Sequence, residues 1–279
     1  MKLYNFEGAV LGYAVGDALG MANEFTNKKV FGFEDNPKKG LTKGQWTDDT
    51  QFFLMSSKSL IQNKDVILED IIKNMVRLAP ELRSVGFNTR TAINNMKSKR
   101  SNNTTGIKGQ YSCGAGGVSR LLPYLLVSDN FSYGNIKNIL RITHDNKDLF
   151  KVSKALAHYI NRLKQKVKPE EAFETLYNNY PSKLRSSFNN YHNRGYAPGL
   201  IASSARSFTT NHNNFKRALL DSVNKAGDTD TRTALVGFFS GIYNGINEIP
   251  DEFKTQIENK SLILNYAKKL YEVYQDESL

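Results

Sequence analysis

Seven glycines at four-residue spacing constrain this chain more than any other feature. Gly8, Gly12, Gly16 and Gly20 fall in GAVLGYAVGDALG, and Gly237, Gly241 and Gly245 in GFFSGIYNG. A four-residue repeat sets the glycines in a row along one helix face. Each glycine inside a helix costs about 1 kcal/mol relative to alanine, so such rows need a compensating contact. Close approach of two backbones supplies one, as in small-xxx-small packing. Both apolar runs are too short to span a bilayer, which excludes a membrane dimer motif. The expectation is two central helices packed tightly together.

Elsewhere apolar residues recur mostly at helical spacing. KDVILEDIIKNMVRLAPEL (64–82) reads as a helix with Asp65 as cap and Pro80 as stop, its face carrying Ile67, Ile71, Val76 and Leu78. NIKNILRITHD, KDLFKVSKALAHYINRLKQK, EEAFETLYNNY, NFKRALLDSVNKAG and KSLILNYAKKLYEVYQ read the same way. Alternating strand patterns are scarce, and no low-complexity linker or long-period repeat divides the chain. The sequence therefore predicts an all-α fold as a single domain over 1–279. Glu7 and Asp17 interrupt the first apolar run, which reads as a buried helix rather than a signal peptide. The single cysteine, Cys113, excludes an intramolecular disulfide framework and fits a reducing, cytoplasmic setting. A net charge of +11 invites a nucleic-acid reading. The basic stretches at 89–103, 161–169 and 182–187 carry no recognisable nucleic-acid motif, so solvated surface is preferred.

Two acidic clusters stand out. WTDDT holds Thr47, Asp48 and Asp49 ahead of the apolar run FFLMSSKSLI, and GDTDT holds Asp228, Asp230 and Thr231 ahead of the second glycine row. A single aspartate at a helix start is an ordinary cap. Four in two near-mirror motifs call for more. If the clusters meet, repulsion among the carboxylates must be relieved by protonation or by cations. Oxygen donors without Cys or His suit Mg²⁺, Ca²⁺ or Mn²⁺ rather than zinc, and two divalent ions would balance four carboxylates. An EF-hand loop is excluded, because Arg232 stands where a further ligand belongs and no glycine follows it.

The blocks GAVLGYAVGDALGMANEF (8–25), WTDDTQFFLMSSKSL (46–60), SCGAGGVSRLLP (112–123) with ITHD (142–145), and AGDTDTRTALVGFFSGIYNG (226–245) together resemble the ADP-ribosylglycohydrolases. The resemblance implies an orthogonal helix bundle with a two-Mg²⁺ cleft, Mn²⁺ serving as a substitute. By motif position it implies Thr47, Asp48, Asp49, Asp228, Asp230 and Thr231 as metal ligands. Glu24, or a metal-bound carboxylate such as Asp49 or Asp228, would handle protons. Cys113, Gly114, Ala115 and Gly116 match the loop around the ligand's phosphates and distal ribose, His144 a residue beside that ribose, and Gly86 another ligand-lining loop. The implied activity is hydrolysis of a glycosidic bond at the distal ribose of ADP-ribose, carried on protein and, by the Cys-Gly-Ala core, on arginine. ADP-ribosylserine, ADP-ribosylated nucleic acid, other adducts and a non-catalytic relative stand as alternatives; the expected state is a monomer away from membranes. Ala226-Gly227, Arg232 and Val118-Ser119 depart from the family pattern and bear on substrate preference. No Cys–His arrangement supports a thiol nucleophile at Cys113. His158, His192 and His212 read as ordinary, and Trp46 as a brace for its loop.

Overall fold

The computed structural model describes residues 1–26, 28–98, 107–108, 112–189 and 195–276. Thirteen α-helices and one short pair of strands make up the regular structure of these residues, apart from brief 3₁₀ turns. His192 and residues 99–103 of the basic stretch 89–103 lie outside the described residues.

The two glycine rows meet as expected. Helix α1 (Leu3–Gly20) packs along α11 (Thr229–Asn244) at the centre of the bundle. A Cβ on Gly12 would overlap the Gly237 carbonyl, one on Gly16 the Thr233 carbonyl, and one on Gly241 the Gly8 carbonyl. Gly245 ends the row differently: it follows the helix at φ 85°, where glycine is favoured. Tyr13, Phe53 and Phe238 form an aromatic cluster beside this seam, and Tyr159, Phe239 and Phe208 continue it.

Around this pair stand α2 (Asp48–Asn63), α5 (Val118–Val127), α7 (Lys147–Lys164), α9 (Ala197–Thr210), α10 (Phe215–Val223) and α13 (Lys260–Gln275). The helix expected over 64–82 is shorter, α3 (Leu68–Leu78), with Ile67 rather than Asp65 at its N-cap. Lys64 leaves α2 in the left-handed conformation at φ 52°, so the chain must complete that turn before a new helix starts. Ile67 then falls outside the helix and is 36% exposed, while Ile71 and Met75 carry the buried face. Helices α4 (Phe87–Lys97), α6 (Tyr133–Arg141), α8 (Pro169–Asn179) and α12 (Asp251–Gln256) complete the shell. Strand β1 (Ile107–Lys108) pairs parallel with β2 (His144–Asp145). No described helix is long and apolar enough to cross a membrane.

Candidate active site

The C-terminal end of α1 draws both acidic clusters together. Asp17, fully buried, accepts from the backbone N–H of Thr47 and Thr50 at 3.0 Å and from their hydroxyls at 2.7 and 2.6 Å. These bonds fasten the start of α2 to α1. On the other flank, the Thr229 hydroxyl donates to the Gly20 carbonyl at 2.7 Å and fastens the start of α11. Asp48 and Asp49 occupy the first turn of α2, Asp228 stands at the N-cap position of α11 without a side-chain cap bond, and Asp230 follows in its first turn. Both helix N-termini present positive dipole ends to these carboxylates, which is why adjacent aspartates are tolerated there.

A cleft of about 280 Å³ opens over this junction. Its lining includes Glu24, Asp48, Asp49, Asp228, Asp230 and Thr231, and also Gly86, Gly114, Ala115, Gly116 and His144. Residues far apart in the sequence thus share one cavity. Two of the residues named from the sequence do not line it. The Thr47 hydroxyl is turned to Asp17 and also accepts from the Asp49 N–H at 3.3 Å. Cys113 is buried under a neighbouring depression with Tyr133, Lys137 and Lys151. Burial pushes its thiol up to about 12, which leaves it protonated and a poor nucleophile at neutral pH.

Burial and mutual repulsion raise the acids. Asp49 is pushed up to about 7, first by burial and then by Asp230. Asp17 is raised to about 6 by burial and Asp230, against the four donors from Thr47 and Thr50. Asp48 and Asp228 are held well above the ordinary carboxylate range by the same causes, with Asp49 the main charged neighbour of the first and Asp230 of the second. Ser119 donates to one oxygen of Asp49 and Thr231 to the other, the latter at 2.6 Å. Lys39 forms an ion pair with Glu24 and reaches Asp230 at 3.4 Å.

These residues fit divalent cations in kind. They are hard oxygen donors, their repulsion calls for positive charge, and the buried Oδ1 of Asp228 has no hydrogen-bond partner. As the side chains stand, no three carboxylate, imidazole or thiol groups among the described residues converge tightly enough to enclose an ion. The Lys39 ammonium and the Ser119 and Thr231 hydroxyls occupy the carboxylate oxygens instead.

The glycine loop is held from behind. Ala115–Gly117 forms a short 3₁₀ turn leading into α5, and Ala115 N–H donates to the Gly195 carbonyl at 2.9 Å. Arg120, fully buried on α5, donates to the Gly116 carbonyl at 3.2 Å and to the Thr143 hydroxyl. The Thr143 oxygen accepts from the guanidinium, and with its own proton given to His144 Nδ1, 2.7 Å away, the hydroxyl serves both neighbours. That assignment puts the imidazole proton on Nε2. Burial, and then Arg120, push His144 down to about 3, so the ring is neutral. Arg232, singled out as a departure from the family pattern, donates to the carbonyls of Ser222, Lys225 and Ala226 and pegs the turn before GDTDT.

Sequence reading missed Asp17, Lys39, Arg120 and Gly195 as parts of this region, and named Ser119 only as a departure from the family pattern. Asp17 carried a usable signal: a charge inside an apolar helix must be paired. Gly195 carried one too weak to use, since only the fold shows that a Cβ there would crowd Asp228 Oδ2 at 2.8 Å.

The family model for ADP-ribosylglycohydrolase matches residues 2–279. An ADP-ribosyl-(dinitrogen reductase) glycohydrolase of Rhodospirillum rubrum is 26% identical over 91% of this chain and 90% of its own length. An ADP-ribosylarginine hydrolase, Tri1, of Pseudomonas putida (strain GB-1) is 23% identical over 95% of this chain and 77% of its own. Among solved structures, an ADP-ribosylglycohydrolase-related protein complex is similar at a TM-score of 0.85 and 25% identity, covering 98% of both chains. With the whole length matched and the two acidic motifs sharing one cleft with the glycine loop, the chain belongs to the ADP-ribosylglycohydrolase family of glycosidic-bond hydrolases.

Proposed function

We propose that this cleft removes ADP-ribose from arginine side chains of modified protein, and that it does so with two Mg²⁺ ions, for which Mn²⁺ substitutes. The observation that carries the reading is the meeting of five carboxylates, a glycine loop and a neutral histidine on one cavity. Asp48, Asp49, Asp228, Asp230 and Thr231 would hold the metals. Thr47 would join them only if its hydroxyl turned from Asp17. When bound, such ions orient the ribose hydroxyls and polarise a water for attack on the anomeric carbon.

The chain's own residues account for the rest. Glycosidic cleavage builds positive charge on the sugar, and the carboxylate wall favours that charge. Gly114, Ala115 and Gly116 let backbone approach the pyrophosphate, next to the N-terminus of α5, where helix amides favour anions. His144 offers Nε2–H as a donor at the same wall. Glu24 stands at the cleft with Lys39 beside it, placed to take or return a proton.

The test is release of ADP-ribose from an arginine-modified protein. Asp48→Ala and Asp230→Ala should each lower the rate by more than the roughly 10- to 100-fold that loss of an outer-shell partner costs. A chelator should stop the wild-type reaction, and Mg²⁺ should restore it. Normal turnover in both variants would end the metal assignment.

A further inference from the structure

Two phenylalanines stand where burial alone would not leave them. Phe25 is 59% exposed and Phe87 is 78% exposed, yet both line the acidic cleft. Phe31 is as exposed but lies outside the cleft, so it is the shared place on the cavity wall, where a ligand would cover both rings, that sets Phe25 and Phe87 apart. Phe25 has a second peculiarity. Its backbone is left-handed at φ 53°, a costly conformation for a bulky residue. Its N–H is pinned to the Gly227 carbonyl at 2.9 Å, which holds it between Glu24 and the GDTDT turn. Phe87 belongs to the other wall. It opens α4 two residues before Thr89, whose Oγ1 lies close to Gly116 of the glycine loop. One ring is therefore anchored to the acidic side of the cleft and the other to the glycine-loop side.

We propose that Phe25 and Phe87 select the leaving group, their rings gripping the planar guanidinium of an arginine at the cleft mouth. This rests on the arginine-directed reading above. A guanidinium gains from both features present, the aromatic face by cation–π attraction and the carboxylates by charge. A serine oxygen gains from neither. An adenine would gain from the rings alone, which makes it the competitor that the experiment must separate.

The experiment compares wild type with Phe25→Leu, Phe87→Leu, the double variant and Phe25→Tyr. It measures kcat/KM on ADP-ribosylarginine and ADP-ribosylserine peptides, and the Kd of free ADP-ribose by calorimetry. Both side chains are exposed, so the variants should fold. The double leucine variant should lose about tenfold or more on the arginine substrate, with ADP-ribose affinity and any serine activity within about twofold of wild type. Phe25→Tyr, which keeps the ring, should retain activity. Weakened ADP-ribose binding would assign the rings to adenine, and equal loss on both substrates, or none, would equally overturn the inference. Failure of wild type itself to release ADP-ribose from arginine would overturn the proposed function and this inference with it.

Discussion

Lys39 shows how one residue can change the meaning of an acidic cluster. The aspartates of TDDT and DTDT imply an excess of negative charge that protonation or cations must relieve. In the folded chain a lysine from the loop before α2 enters the cluster, pairing with Glu24 and reaching Asp230. It supplies a tethered positive charge in the space that the proposed metals would share. Lys39→Met should therefore lower the melting temperature in chelator and enlarge the stabilisation given by added Mg²⁺, since binding to the folded state raises stability by mass action. Equal chelator stability and equal Mg²⁺ response in both proteins would show that the ammonium does not offset the carboxylates. Nothing in PKKG marks Lys39 among the chain's other lysines, because its role depends on a loop path. Asp17 was more accessible to reasoning: its place on an apolar helix required partners, though not which ones.

At the scale of elements, the glycine rows set the geometry of everything above them. α1 and α11 approach so closely that side chains are excluded along the seam. That approach brings Gly20 against Thr229, and with it the ends that carry Asp17 and Asp230. Gly16→Ala should destabilise the protein by about 1–3 kcal/mol or more, the range for forcing extra atoms into a packed core. Gly86→Ala is the control for steric clash, since nothing beyond the chain neighbours lies within 4 Å of a Cβ there, and it should cost no more than the roughly 1 kcal/mol typical of an N-cap change. Denaturant midpoints measure both, and comparable values would refute the seam as the reason for the glycines. The row was legible because period and residue type suffice to place a face. The α3 boundary was not, since the left-handed exit at Lys64 displaced the expected start. Helices α4 and α9 also escaped notice, as their polar or serine-rich sequences give a weak period.

For the whole molecule, the site is a source of pH-dependent instability. Asp17 and Asp49 titrate in the folded chain at about 6 and about 7, against about 3.9 when unfolded. Raised acids favour folding fully below the unfolded value, and that contribution is lost as pH rises through 6 to 7. His144, held at about 3, acts oppositely: it costs stability as pH falls below about 6.5. In chelator, the denaturant midpoint should fall between pH 5 and pH 8, and Asp49→Asn should flatten that limb. An unchanged slope in the variant would show that Asp49 is not its source. The sequence by itself determined the helical class, the central glycine seam and the identity of the four motif aspartates, because periodicity and residue chemistry act locally. Only the tertiary structure decided that Asp17 ties α2 to α1, that Lys39 enters the acids, that Thr47 turns inward and that Phe25 and Phe87 face the cleft. Those outcomes depend on distances between segments far apart in the chain, which no local pattern encodes.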